Sequence, residues 1–182
     1  MPYNPELEQH RAMRLKGYDY SLAGAYFINL VTREKLCLFG EIINGEMRLS
    51  QLGNTVQREW LRLERRFPGL ELDEFVIMPN HLHGILVNTQ QDAPRPGEDV
   101  RKDAAPPKRT GATAGSLTAM VKGFKSAVEF RYHNMANNND PLWQPNDYEQ
   151  IIHDEDDLDR IRRYIAANPM NWLKDAEYLP RQ

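Results

Sequence analysis

The stretch that most constrains this chain is Glu74-Phe-Val-Ile-Met-Pro-Asn-His-Leu-His-Gly-Ile-Leu-Val87. Two apolar runs, Phe75 to Met78 and Ile85 to Val87, flank Pro79-Asn80 and His81-Leu82-His83. Short apolar runs bounded by turn residues read as strands. Side chains alternate faces along a strand, so His81 and His83 share one face while Leu82 points the opposite way, into the core. Two imidazoles on one face of a rigid strand are spaced to hold a single metal ion. A lone His-x-His in an apolar strand is also what an exposed polar face looks like, and the remainder of the chain must decide between the two.

With 182 residues, 41% hydrophobic and 27% charged, the chain suits one domain spanning 1–182 with a proper core. The single cysteine, Cys37, stands between Leu36 and Leu38 in a predicted strand. It reads as a small buried hydrophobe and suits a reducing, cytoplasmic compartment. The N-terminus lacks a secretory layout and no apolar run reaches membrane-spanning length, which predicts no membrane association. A net charge of −3 and a pI near 6.0 exclude a general polyanion binder. Any nucleic-acid contact therefore needs a local patch. Residues 101–131 hold seven Lys/Arg against Asp103 and Glu129, whereas residues 140–159 are strongly acidic.

In chain order, residues 1–13 read as a loose polar arm. Arg14-Leu-Lys-Gly-Tyr-Asp-Tyr20 mixes cations with tyrosines, a combination suited to phosphates and stacked bases or to a solvated surface. Tyr26 to Thr32 reads as a central strand and Lys35 to Ile43 as a second; Asn44-Gly45 signals a hairpin returning through Glu46 to Leu49. Ser50 caps a helix with Leu52, Val56, Trp60, Leu61, Leu63 and Phe67 at helical spacing, ended by Pro68-Gly69. Residues 89–114 lack apolar periodicity and read as a flexible loop. Ser116 caps a second helix, Leu117 to about Met135, whose apolar set includes Phe124, Val128 and Phe130; Lys122, Lys125 and Arg131 are left for solvent or DNA. Tyr148 to Ile152 has strand character. Asp154 caps a last helix, with Asp156 and Asp157 in its first turn, running to Asn168 before Pro169. Trp60, Trp143 and Trp172 are expected in the core.

Tyr164 and Asn168 are four residues apart and lie on one helix face. If that face packs over the His-x-His strand, Asn168 adds an amide oxygen to the two imidazoles and the Tyr164 hydroxyl sits beside the ion. The open coordination positions can take a DNA phosphate oxygen and polarise phosphorus for in-line attack. A tyrosine hydroxyl, with an ordinary pKa near 10, needs that activation to act as a nucleophile. Tyr148 is the competing nucleophile.

Pro79-Asn80-His81-Leu82-His83-Gly84, followed by Trp143-Gln144, Tyr148-Glu149, Asp154 to Leu158 and Tyr164-Ile-Ala-Ala-Asn168-Pro169, resembles the REP-associated tyrosine transposases. These are single-tyrosine members of the HUH superfamily, named for His, a bulky apolar residue and His. The resemblance extends over roughly residues 14–172. It implies an α+β, ferredoxin- or RRM-like fold: an antiparallel sheet flanked by helices, with His-x-His on a central strand and the catalytic tyrosine on the C-terminal helix. It further implies a divalent ion, Mg2+ or Mn2+, on His81, His83 and Asn168, and Tyr164 as nucleophile. The implied substrate is single-stranded or hairpin DNA of the repetitive extragenic palindrome type, cut and rejoined by a monomer or homodimer through a 5′-phosphotyrosine. Arg14, Lys16, Lys122, Lys125, Arg162 and Arg163 are the expected DNA contacts.

Two rival readings come from other classes. A domesticated module would bind hairpins without cutting them. A metallohydrolase would use His81, His83 and a carboxylate to activate water.

Overall fold

The computed structural model describes residues 23–89, 116–145 and 148–180. The expected arm at 1–13, Arg14, Lys16 and nearly all of the expected loop at 89–114 lie outside these residues. The elements are β1 (Gly24–Val31), a 3-10 turn (Arg33–Lys35), β2 (Gly40–Ile43), β3 (Glu46–Leu49), α1 (Gln51–Leu61), α2 (Leu63–Arg66), β4 (Leu70–Ile77), β5 (His81–Asn88), α3 (Leu117–Ala136), β6 (Tyr148–Ile152), α4 (Glu155–Ala167) and a 3-10 segment (Pro169–Lys174).

Four strands form an antiparallel sheet in the order β4-β5-β1-β6, and β2 and β3 form a separate hairpin. The His-x-His strand β5 is thus an inner strand. Its register with β1 pairs His81 with Val31 and His83 with Asn29, and β6 brings Tyr148 opposite Asn29. Because directly opposed residues share a face, one face carries Phe27, Asn29, His81, His83, Ile85 and Tyr148. The other carries Tyr26, Ile28, Leu30, Leu82, Gly84 and Leu86.

Each face is covered differently. The Leu82 face packs against Trp60, Val56 and Leu52 of α1 and Phe124, Val121 and Val128 of α3, the larger apolar cluster. The histidine face packs against Ile161 and Ile165 of α4, with Leu158 and Tyr164 at its margin. All three longer helices begin as their sequences demand: Ser50, Ser116 and Asp154 accept from Gly53, Ala119 and Asp157 backbone N–H groups. The α4 helix also carries Glu155, Asp156 and Asp157 in its first turn, where the helix dipole favours negative charge.

Two polar anchors join the layers. The Glu59 carboxylate, only 1% exposed, accepts from Arg62, Arg66 and Arg131, tying α1 and α2 to α3. Burial alone would raise its pKa, but the Arg62 hydrogen bond and the charges of Arg131, Arg66 and Arg62 outweigh it and hold it below the usual range. On the other side, Arg162 of α4 makes a two-pronged bond to Asp73 at 2.8 and 2.6 Å. Asp73 lies in the register shift between Leu72 and Phe75 of β4, an irregularity of the kind that re-aims a side chain.

Three expectations need correction. Residues 35–39 are not strand: the 3-10 turn holds Glu34 and Lys35 at φ 56° and 55°, and β2 starts only at Gly40. Cys37 lies in the connection that follows and is exposed. Phe130, placed in the apolar set of α3, is 68% exposed, because the helix buries only the stripe through Leu117, Met120, Val121, Phe124 and Val128.

Two measurements test this packing. A Cβ at Gly84 would stand 2.4 Å from the Trp60 ring, and Trp60 is fully buried edge-on to Phe124. Gly84→Ala is expected to cost about 1–3 kcal/mol in denaturant unfolding. Glu59→Gln should cost roughly 2 kcal/mol at neutral pH. Because the folded Glu59 pKa is depressed, its contribution is present above the ordinary carboxyl value and lost as pH falls through the lower folded value. The gap between wild type and Glu59→Gln should therefore close in acid.

Candidate metal centre and nucleophile

His81 and His83 are both fully buried, with ring centroids 4.3 Å apart. Burial pushes the His83 imidazole down to about 3 and carries His81 well below its ordinary value, with the neighbouring ring and Lys35 adding to it. Both rings are neutral near pH 7, the form that ligates a metal. Phe27 stacks on His83 at 5.2 Å and limits its tilt.

The α4 helix delivers Tyr164 to this pair. Its hydroxyl lies 3.4 Å from His83 Nε2, with ring centroids 5.3 Å apart. That distance is long for a strong hydrogen bond, but it sets the hydroxyl against the histidines. One turn further on, Asn168 is 3% exposed. Tyr148, the rival nucleophile, is on the same sheet face but bonds Gln150 Oε1 at 3.1 Å and packs on Phe27.

The third wall comes from a residue that sequence reasoning missed. Beyond the 3-10 segment Pro169–Lys174, the Asp175 carboxylate reaches within 3.9 Å of His81 Nε2, with its side chain 2% exposed. His81, His83 and Asp175 each offer a ligand atom, and these lie within 4.8 Å of one another. Burial raises the Asp175 pKa to about 6; its own bond from the Glu177 N–H opposes this, the Glu177 charge adds to it, and Asn168 and Lys35 again oppose. The only sequence signal was a lone aspartate shortly after a helix-ending proline, which has no recognisable ligand spacing.

The segment carrying Asp175 is strapped down. Lys35 Nζ pairs with Glu177 at 2.9 Å and donates to the Ala176 carbonyl at 3.1 Å. Asn80 donates to the Glu177 carbonyl at 2.8 Å and Asn29 to its carboxylate at 3.4 Å. The Lys35 carbonyl in turn accepts from the Asn80 amide at 3.1 Å, so two of the residues that hold the segment also hold each other.

Among the described residues, His81 Nε2, Asn168 Oδ1 and Asp175 Oδ2 are buried without a hydrogen-bond partner. Such groups are costly to leave unsatisfied. An imidazole lone pair and a carboxylate oxygen facing each other in a buried site repel unless a cation or proton comes between them. The donor set, imidazole nitrogen with amide and carboxylate oxygen, fits a divalent ion.

The expected DNA contacts divide. Lys122 and Arg163 are exposed, on α3 and α4 and hence on opposite layers of the sheet. Lys125 donates to the Gln144 carbonyl at 3.2 Å and lies over the Trp143 ring, and Arg162 is engaged by Asp73 and Asp159. Trp60 and Trp143 are core residues, whereas Trp172 is half-buried beside His81 at 6.0 Å. No helix among the described residues is long and apolar enough to cross a membrane.

No family model matches the chain. An uncharacterized protein of Haemophilus influenzae is 40% identical over 182 residues, covering 97% of each chain. Among solved structures, a REP-associated tyrosine transposase bound to a REP hairpin is similar at a TM-score of 0.57 and 17% identity, over 88% of this chain and 74% of that one. At that identity the likeness establishes the fold.

Manganese at about one hundred times its dissociation constant should stabilise the protein by about 2.7 kcal/mol, a rise in Tm of roughly 5–10 °C that chelator reverses. His81→Gln should abolish the rise. Asp175→Asn should shrink it while raising the Tm of the metal-free protein, because it removes a carboxylate that burial penalises. Absence of any metal-induced shift in wild type would sink the centre.

Proposed function

We propose, for a chain that belongs to one family with the Haemophilus influenzae protein and has the fold of a REP-associated tyrosine transposase, that it is itself an HUH-type transposase, cleaving and rejoining single-stranded DNA through Tyr164. The observation that carries this reading is the Tyr164 hydroxyl standing 3.4 Å from one of two buried histidines whose neighbours include orphaned oxygen ligands.

In this reading His81, His83 and Asn168 hold a divalent ion, with Asp175 as a further oxygen ligand. Two imidazoles favour Mn2+ over Mg2+ in affinity, while the oxygen donors suit either. When bound, the ion supplies Lewis-acid polarisation of a phosphate. The chain's own groups do the rest. The Tyr164 oxygen attacks phosphorus as its proton passes to water, the bond from phosphorus to the 3′-oxygen breaks, and that oxygen takes a proton from water and departs as a free 3′-hydroxyl. The 5′-phosphotyrosine conserves the bond energy, so another 3′-hydroxyl reverses the step without ATP. The α4 cap and the Arg162–Asp73 bond hold Tyr164 in register over the strand, which is positioning of the kind that lowers barriers entropically.

The proposed substrate is supported by the same likeness. The solved transposase is bound to a REP hairpin, and a palindromic hairpin with a single-stranded flank is the proposed substrate here. Lys122 and Arg163, exposed on the two helical layers, and Arg14 and Lys16 are the proposed phosphate contacts. Arg162 and Lys125 are committed first to internal partners.

The test is an end-labelled oligonucleotide carrying a candidate hairpin, incubated with Mn2+, Mg2+ or chelator. Wild type should give a denaturant-resistant protein–DNA adduct that requires metal. Tyr164→Phe should abolish it and Tyr148→Phe should leave it. An adduct lost only in Tyr148→Phe would move the nucleophile to β6. Hairpin binding that gives no adduct across varied targets would favour a binding module.

A further inference from the structure

We infer that Asn80 is a positioning residue for this centre: it fixes the proton of His81 on Nδ1, leaves Nε2 as the ligand atom, and ties that choice to the seating of the segment that carries Asp175. The inference rests on the metal-centre reading above and deepens it.

The argument is one of hydrogen-bond accounting. Asn80 is fully buried, and its amide nitrogen donates to the Lys35 carbonyl at 3.1 Å and the Glu177 carbonyl at 2.8 Å. Carbonyls only accept, so the amide cannot be flipped without setting oxygen against oxygen twice. Its Oδ1 therefore faces His81 Nδ1, at 2.8 Å. An acceptor there requires the proton on Nδ1. A neutral imidazole has one such proton, so Nε2 keeps its lone pair.

Among the described residues Nε2 has no hydrogen-bond partner, and the 2.8 Å contact at Nδ1 outweighs the pull of a more distant carboxylate on an Nε2 proton. The nearest carboxylate oxygen, on Asp175, is 3.9 Å from Nε2, beyond hydrogen-bonding distance. With the opposite tautomer, Nε2–H would point toward Asp175 and Nδ1 would face the Asn80 oxygen lone pair to lone pair. His81 would then offer no nitrogen to the site. The same amide that selects the tautomer grips the backbone two residues past Asp175, so loosening one loosens the other. Support of this kind, a hydrogen bond to the far nitrogen of a ligating histidine, typically contributes ten- to hundredfold in metal affinity.

The experiment pairs two readouts on the full chain. Long-range 1H–15N spectra of the metal-free protein, with the His81 signals assigned by their loss in His81→Gln, report the tautomer. Calorimetric titration with Mn2+ reports affinity. Wild type should show a proton on Nδ1 and a bare Nε2. Asn80→Ala should lose that preference and bind Mn2+ about ten- to hundredfold more weakly. Asn80→Asp keeps the acceptor but sets an oxygen against the Lys35 and Glu177 carbonyls; it should retain the Nδ1 proton and still lose Mn2+ affinity, which separates the tautomer from the seating of the segment. A proton on Nε2 in wild type would overturn the inference without need of any variant, so the test survives a failure of Asn80→Ala to fold. Unchanged Mn2+ affinity in folded Asn80→Ala would overturn it as well. An Nδ1–H ring in a wild type that binds no divalent ion would instead overturn the metal centre, and with it the ligand role of Nε2, leaving the tautomer standing.

Discussion

The structure depends on burying two neutral imidazoles side by side on an inner strand. Taking polar rings out of water is unfavourable unless their nitrogens find partners. The surroundings of His81 and His83 can be read as the supply of those partners: Asn80 at one nitrogen of His81, the Tyr164 hydroxyl at His83. Phe27 covers one ring with an apolar face. Desolvation that keeps the rings uncharged is also what keeps them competent as ligands, so the packing requirement and the proposed chemistry point the same way.

The α4 helix converts this buried pair into something that can act. Its apolar stripe, Ile161 and Ile165, sits in the same cluster as Phe27 and Ile85, and its acidic first turn and Asp154 cap fix where it begins. Arg162 locks it to β4 through Asp73. Rotation by one residue would turn the Tyr164 ring away from His83, so three independent contacts protect a single register. The acidic run from Asp154 to Asp159 thus has structural uses and does not oppose a nucleic-acid role elsewhere on the surface.

The centre is closed from a third direction by Asp175, Ala176 and Glu177, held by Lys35, Asn29 and Asn80. These contacts cross from β1 and the turn after it and from the bend between β4 and β5 to a segment beyond the last helix. The site is thus framed by a strand pair, a helix and a segment held by hydrogen bonds and an ion pair. In the intervening turn Met170 and Leu173 are exposed, while Trp172 packs on His81 and Tyr178, so the segment is held by polar and aromatic contacts together.

Much of this was legible from local rules. Alternation along a strand placed His81 and His83 on one face, four-residue spacing aligned Tyr164 with Asn168, Asn44-Gly45 marked the β2–β3 hairpin, and Ser50, Ser116 and Asp154 marked helix starts. Each of these depends on neighbours within a turn or a strand repeat, which the order of residues alone determines. Where a charge or a lone aspartate ends up depends on partners far away in the chain. Arg162 finds Asp73 89 positions away, and Asn80 reaches Glu177 across 97. No periodicity records such meetings. The placement of Asn80 and Asp175 beside His81, the engagement of Arg162 and Lys125, the exposure of Phe130 and the break before β2 were therefore decided by tertiary packing, because hydrogen bonds and burial between distant segments follow from how layers stack and not from spacing along the chain.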